Sequence, residues 1–154
     1  MGESGNLWMM GTVDVLTGEY EYTLDSKSRF LMPTEFRDYL GEPMYFVRGF
    51  ENCIYVYSES QWQKMSEDIR NLPWSSDAAR WVKRIWFSSS IKVKADPQGR
   101  VLVPQVYRDH VLKSNKVVVL GCFDYVEIWD EEQWRNDASE KIGLLGKFLE
   151  EANK

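Results

Sequence analysis

The stretch Asp25-Ser26-Lys27-Ser28-Arg29-Phe30-Leu31-Met32-Pro33 returns later in the chain as Asp96-Pro97-Gln98-Gly99-Arg100-Val101-Leu102-Val103-Pro104. In each copy an aspartate opens a turn, an arginine follows four positions on, an apolar extended run comes next and a proline closes it. The flanks repeat too. Tyr20-Glu21-Tyr22-Thr23-Leu24 and Ile91-Lys92-Val93-Lys94-Ala95 lead into the turns with the alternation of a half-buried strand. After each turn a short helix is expected, Pro33 to Arg37 and Pro104 to Arg108, because proline's missing N–H and fixed φ suit a first helical turn.

Working outward, two apolar runs follow each short helix and read as hairpins. Met44-Tyr45-Phe46-Val47-Arg48 and Cys53-Ile54-Tyr55-Val56-Tyr57 turn through residues 49 to 52; Lys116-Val117-Val118-Val119-Leu120 and Tyr125-Val126-Glu127-Ile128-Trp129 turn through residues 121 to 124. Val56-Tyr57-Ser58-Glu59-Ser60-Gln61-Trp62 then aligns with Ile128-Trp129-Asp130-Glu131-Glu132-Gln133-Trp134. Ser58 is suited to cap a helix over about Glu59 to Asn71. Between the copies, Ser75-Ser76 opens a helix from about Asp77 to Phe87, with Trp81, Ile85 and Trp86 on one side and Arg80, Lys83 and Arg84 largely on another. The tryptophans Trp62, Trp81, Trp86, Trp129 and Trp134 are expected to pack in the core rather than to stack on bases.

Self-similarity at an offset of about 71 to 72 residues is too long for a solenoid and points to duplication of a small domain. The division that follows is an extension over residues 1–16 read as a flexible arm, a first unit over 17–74, a bridging helix over 75–90, and a second unit with a C-terminal helix over 91–154. Neither unit is large enough to cover both faces of its own sheet. The expected fold class is therefore α+β, with the hairpins of the two units interlocked about a pseudo-twofold axis and helices on the flanks.

The composition excludes several classes of function. No apolar run is long enough to span a membrane and no signal-peptide pattern opens the chain, so a cytoplasmic protein without a membrane partner is expected. Cys53 and Cys122 stand alone in apolar runs and read as inert thiols. His110, the only histidine, reads as a solvated surface residue. There is no nucleophile elbow, no phosphate-cradling glycine loop and no cluster of metal ligands. No enzyme, metal or cofactor is expected.

The net charge of −5 argues at first against a polyanionic partner. Its distribution changes that. Between Ile91 and Lys113 the residues Lys92, Lys94, Arg100, Arg108 and Lys113 outweigh Asp96 and Asp109 by about 3 charges, whereas Glu127 to Lys154 carries an excess of about 4 acidic ones. Lys92 and Lys94, two apart on a strand, share its outward face; the corresponding Glu21 and Thr23 are not basic. Arg29 and Arg100 admit two readings. A guanidinium four residues after an aspartate braces the turn by a local salt bridge, and the same planar fork suits phosphate or guanine recognition.

These residues resemble the MraZ family of bacterial proteins, related to the swapped-hairpin DNA-binding domains of AbrB type. The resemblance rests on Gly18-Glu19-Tyr20, Leu24 to Arg29, Pro33, Phe36-Arg37, Asp96 to Arg100, Pro104, Gly121 and Glu127-Ile128-Trp129. Arg80 to Arg84 and Ser88-Ser89-Ser90 resemble its connecting segment. It covers residues 18–135 and implies two tandem AbrB-like swapped-hairpin units in a double-barrel-like core. It further implies a nucleoid-associated regulator, commonly a repressor, that binds tandem repeats in double-stranded DNA upstream of the division and cell wall gene cluster, as a ring of many subunits.

The family ties the arginine of the first motif to DNA, which falls on Arg29; Arg100 is the matching position. Lys27, Lys92, Lys94 and Gln98 complete the expected DNA-binding set. Two departures stand out. The family's glycine before the first arginine is Ser28 here, so a loop needing positive φ would be strained by an amount on the order of 1 kcal/mol and altered in shape. Family members also tend to begin near Val15 or Leu16. The competing reading is an oligomeric scaffold or protein-binding module whose arginines only brace hinges.

Overall fold

The structure, a computed structural model, describes residues 15–154; the first fourteen residues of the expected arm lie outside the described residues. The first half contributes β1 (Glu19–Thr23), β2 (Arg29–Leu31), α1 (Thr34–Leu40), β3 (Met44–Arg48), β4 (Ile54–Ser58) and α2 (Glu59–Arg70). After α3 (Asp77–Ser89) the order repeats as β5 (Ile91–Val93), β6 (Arg100–Leu102), α4 (Gln105–His110), β7 (Lys116–Gly121), β8 (Val126–Asp130) and α5 (Glu131–Lys141). A 3-10 turn (Ile142–Leu144) leads to a last helix, α6 (Leu145–Ala152). The protein is α+β.

The halves are joined strand by strand. A six-stranded antiparallel sheet runs β1-β7-β8-β4-β3-β5, and β2 pairs with β6 in a separate two-stranded ribbon. The first strand of each half lies on the hairpin of the other: Tyr20 faces Val119, and Lys92 faces Tyr45. The hairpins meet at the centre, where Ile54 is opposite Ile128.

Alternation along the central strands sends side chains to both faces of the sheet. On one face Phe46, Val56, Val119 and Ile128 pack against Phe30, Met32, Phe36, Val101, Val103 and Tyr107 from the ribbon and the short helices. On the other, Tyr55, Tyr57, Val118 and Trp129 pack against Trp86 and Ile69 of α3 and α2. Gly121 lets the chain at Leu16 and Thr17 approach this sheet, since a Cβ there would sit 2.4 Å from the Thr17 nitrogen. Leu16 is buried and pairs with Phe123, so the fold reaches back to the edge of the expected arm.

Equivalent helices are held in equivalent ways. Ser58 and Asp130 cap α2 and α5 by accepting from the Gln61 and Gln133 amides. Trp62 donates its indole N–H to Ser90, and Trp134 to Glu19, each at 3.0 Å and each at the start of the other half's first strand. Trp86 and Trp129 are buried as expected and Trp62 and Trp134 partly so. Trp81 is not: it is 54% exposed. The sequence pattern placed it beside Trp86, but five residues along a helix turns the side chain well away, and only Trp86 reaches the sheet.

Candidate nucleic-acid interface

The loops that follow β1 and β5 have the same internal bonding. Asp25 Oδ1 accepts from the Lys27 and Arg29 amides, both at 2.9 Å, and Asp96 Oδ1 accepts from Gln98 and Arg100 at 3.0 and 2.8 Å. The second carboxylate oxygen takes the guanidinium Nε, at 3.0 Å from Arg29 and 3.2 Å from Arg100. Backbone bonds from Asp25 to the Arg29 carbonyl and from Asp96 to the Arg100 carbonyl close the turns. Both carboxyls are held below the usual aspartate value, chiefly by the backbone N–H of the arginine that each accepts.

Ser28 does not alter the first loop. It adopts φ 61°, beside 86° for Gly99, so serine occupies the left-handed conformation that glycine occupies in the second copy. The expected change of shape is overruled by the surroundings: the Asp25 bonds fix the residues on either side, and the Ser28 carbonyl accepts from the Val103 amide at 2.9 Å. Gly99 also lies against a side chain. A Cβ there would lie 2.7 Å from Arg37 Cζ, because the Arg37 guanidinium packs over it. The matching Arg108 is turned elsewhere, onto Ser114 and Asn115.

The ribbon orders these arginines. Arg29 is opposite Leu102, and Leu31 opposite Arg100, with Phe30 and Val101 between them. Phe30 and Val101 are buried. By the pleat, Arg29, Leu31, Arg100 and Leu102 therefore share the outward face, with the arginines in diagonal positions roughly 7–8 Å apart at Cα. Leu31 and Leu102 are 52% and 51% exposed. They were not singled out from the sequence, although their place two residues after each arginine on a strand was the available signal.

The side chains of Arg29 and Arg100 are 26% and 37% exposed, neither sequestered nor free. The bracing is observed directly, since each aspartate takes the guanidinium Nε of its own arginine, while both side chains keep part of their surface exposed. Lys27 and Gln98 are exposed in the loops, and Lys92 and Lys94 are exposed on and just beyond the edge strand β5. Gln98 Oε1 accepts from Arg100 Nη2 at 3.4 Å. At the other edge of the sheet Arg135 binds both Glu19 and Glu21, which offsets one of the two negative charges on the outer face of β1.

Nothing comparable surrounds the other reactive side chains among the described residues. Among the described residues no group of carboxylates, cysteines and histidine is placed to hold a metal, and His110 is exposed. Cys53 and Cys122 are free thiols whose pKa values burial pushes up, Cys122 to about 12, as inert thiols require. No described helix is long and apolar enough to cross a membrane.

Two halves sharing one sheet, with a crossing ribbon that carries two aspartate-braced arginines, define a class of α+β protein with a paired aspartate–arginine loop. The chain belongs to the MraZ family. The family model described as "MraZ protein, putative antitoxin-like" matches it in succession over residues 15–85 and 86–144. It is 37% identical over 120 residues to the transcriptional regulator MraZ of Caldanaerobacter subterraneus subsp. tengcongensis, covering 78% of this chain and 84% of that one. The protein of the same name from Lactobacillus gasseri is 39% identical over 124 residues, 80% and 86% of the two chains. That from Caldicellulosiruptor saccharolyticus is 34% identical over 136 residues, 88% and 95%.

Proposed function

We propose that this chain is a transcriptional regulator that binds double-stranded DNA sequence-specifically, as a ring oligomer on tandem promoter repeats. In this reading it works in the cytoplasm at the nucleoid and represses the division and cell wall gene cluster. The relatives' shared name supports the regulator; the exchange of first strands between halves supports an AbrB-like swapped-hairpin core, double-barrel-like, built from units at 17–74 and 91–154.

The observation that carries the reading is the outward face of the β2–β6 ribbon. A two-stranded ribbon fits a major groove about 12 Å wide, and arginine forks read guanine edges while apolar groups meet thymine methyls. Arg29 and Arg100 take the first role in this proposal, and Leu31 and Leu102 the second. Lys27, Lys92 and Lys94 meet phosphates, and Gln98 steadies Arg100 or meets the backbone. Because Asp25 and Asp96 fix each guanidinium through Nε, little side-chain freedom is lost on binding. The chain's acidity is offset by multiplicity: many weak basic loops on one rim gain effective concentration along repeated sites.

The test is titration of Arg29→Ala and Arg100→Ala proteins against tandem-repeat DNA and scrambled DNA. Each loss of a bidentate contact, about 1–3 kcal/mol, corresponds to roughly a 5- to 150-fold weakening confined to the specific site. Unchanged affinity and unchanged preference would remove the arginines from recognition. The aspartate–arginine pairs also suit a scaffold whose arginines only brace hinges, and such a protein would show no salt-sensitive DNA complex at all.

A further inference from the structure

The last helix, α6, reads Leu145-Gly146-Lys147-Phe148-Leu149-Glu150-Glu151-Ala152, and none of its residues is buried. Ile142, Leu145 and Leu149 are 74%, 68% and 64% exposed. The helix continues from α5 through the 3-10 turn, and among the described residues nothing buries its apolar face. That face is one wall of a groove. Ile142, Leu145 and Phe148 look across it to Trp129, Trp134 and Ala138, enclosing about 420 Å³. Its polar members are Glu51, Asp137 and Lys141.

A second uncovered surface is a ridge on α3. Trp81 and Ile85, four residues apart and so on one helix face, are 54% and 49% exposed, and Phe50 beside them is 70% exposed. Arg84 lies over the Trp81 ring at 4.7 Å. Patches of this kind on a folded chain mark interaction sites.

The two surfaces are opposite in charge. Helix α3 carries Arg80, Lys83 and Arg84 against Asp77, a balance of +2. Residues 131 to 152 carry Glu131, Glu132, Asp137, Glu140, Glu150 and Glu151 against Arg135, Lys141 and Lys147, a balance of −3. Pairing ridge with ridge or groove with groove sets like charges together; pairing ridge with groove does not.

We propose that the α3 ridge of one copy docks in the α5–α6 groove of the next. The contact is heterologous, and such contacts close into rings or run on as filaments. The proposal deepens the ring reading given above and rests on it. Both surfaces belong to the sheet face built on Trp86 and Trp129, opposite the face covered by the β2–β6 ribbon, so docking leaves every ribbon uncovered.

The test uses the full chain, with Ile85→Asp to spoil the ridge and Leu145→Asp to spoil the groove, and mass measured by sedimentation. The wild type is expected to be multimeric and each variant monomeric with unchanged circular dichroism. An equimolar mixture is expected to stop at a dimer of one of each, because the intact groove of the first meets the intact ridge of the second. Should Ile85→Asp fail to fold, Arg84→Glu replaces it and is expected to weaken assembly without changing the fold. A wild-type multimer whose variants assemble as before overturns the docking assignment and leaves the ring reading intact. A wild type that stops at a dimer, variants that dimerise alone, or a mixture that stays monomeric overturn the heterologous contact. A wild type that is monomeric at every concentration overturns the ring reading itself.

Discussion

Arg29 Nη1 lies 3.7 Å from Asp96 Oδ2, so the arginine of the first loop reaches the aspartate of the second. Asp96 thus receives two guanidinia, because Arg100 Nε is 3.2 Å away. Asp25 receives only its own, Arg29 at 3.0 Å, and among the described ion pairs none joins Arg100 to Asp25. The two loops share one internal design but are coupled in one direction.

Replacing the two aspartates should therefore have unequal effects. Asp96→Ala releases Arg100 and loosens Arg29, whereas Asp25→Ala leaves Arg29 tethered across the ribbon. Proton signals of the arginine Nε–H groups report this directly. The expected outcome is both signals broadened or lost for Asp96→Ala and only that of Arg29 affected for Asp25→Ala; equal responses would exclude the coupling.

Residues 28 and 99 should respond to substitution with opposite signs. Ser28 holds φ 61°, a conformation in which a side chain is strained by about 1–2 kcal/mol, while glycine's greater freedom in the unfolded chain offsets about 0.5–1 kcal/mol of any relief. Ser28→Gly is expected to stabilise by about 0.5–1 kcal/mol on that difference. Gly99→Ala is expected to destabilise by about 1 kcal/mol or more, since it places a side chain at φ 86° and makes the Arg37 guanidinium shift. Denaturant midpoints of the two variants check both signs.

The loop carboxyls fix the direction of the pH response. Asp25 and Asp96 lie below the usual aspartate value of 3.8 in the folded state, so the folded state favours their ionised forms. Their contribution is complete above that usual value and is lost as pH falls through the lowered folded values. Glu19 behaves likewise from its own usual value of 4.5, through its bond from Arg135. Loop order should be constant from neutrality down to about pH 5 and decline below about pH 4. Amide exchange in the two loops measures it, and Asp25→Asn with Asp96→Asn should flatten the decline.

How much of this was legible in the sequence follows from which interactions are local. The turn at Asp25 or Asp96, the arginine four residues on and the proline that ends the run all act within nine residues, and both loops were readable in place, although the shape of the first was not, because Ser28 keeps the conformation that glycine takes in the second. The hairpins and the caps at Ser58 and Asp130 are local in the same way. What stayed hidden depends on partners far along the chain. The burial of Trp86 but not Trp81 was set by where the sheet meets α3. The coupling of Arg29 to Asp96 spans 67 positions. The bare face of α6 was invisible because apolar spacing gives a stripe without saying whether anything covers it.

The last prediction separates positioning from reading. Lys92 and Lys94 are exposed at the edge of the sheet, and no salt bridge within the described chain engages either of them. If they meet phosphates, each neutralises one backbone charge and releases its condensed counterion, so each contributes about 0.9 to the slope of log affinity against log salt. Lys92→Gln with Lys94→Gln should therefore lower the slope by about 1.8 for each engaged subunit and weaken specific and scrambled DNA alike. Arg100→Ala should instead reduce the preference for the specific site, with a smaller change in slope. Salt titrations of the two variants on both DNAs distinguish these behaviours. A lysine pair whose loss alters preference but not slope would reverse the roles assigned to the edge strand and the ribbon.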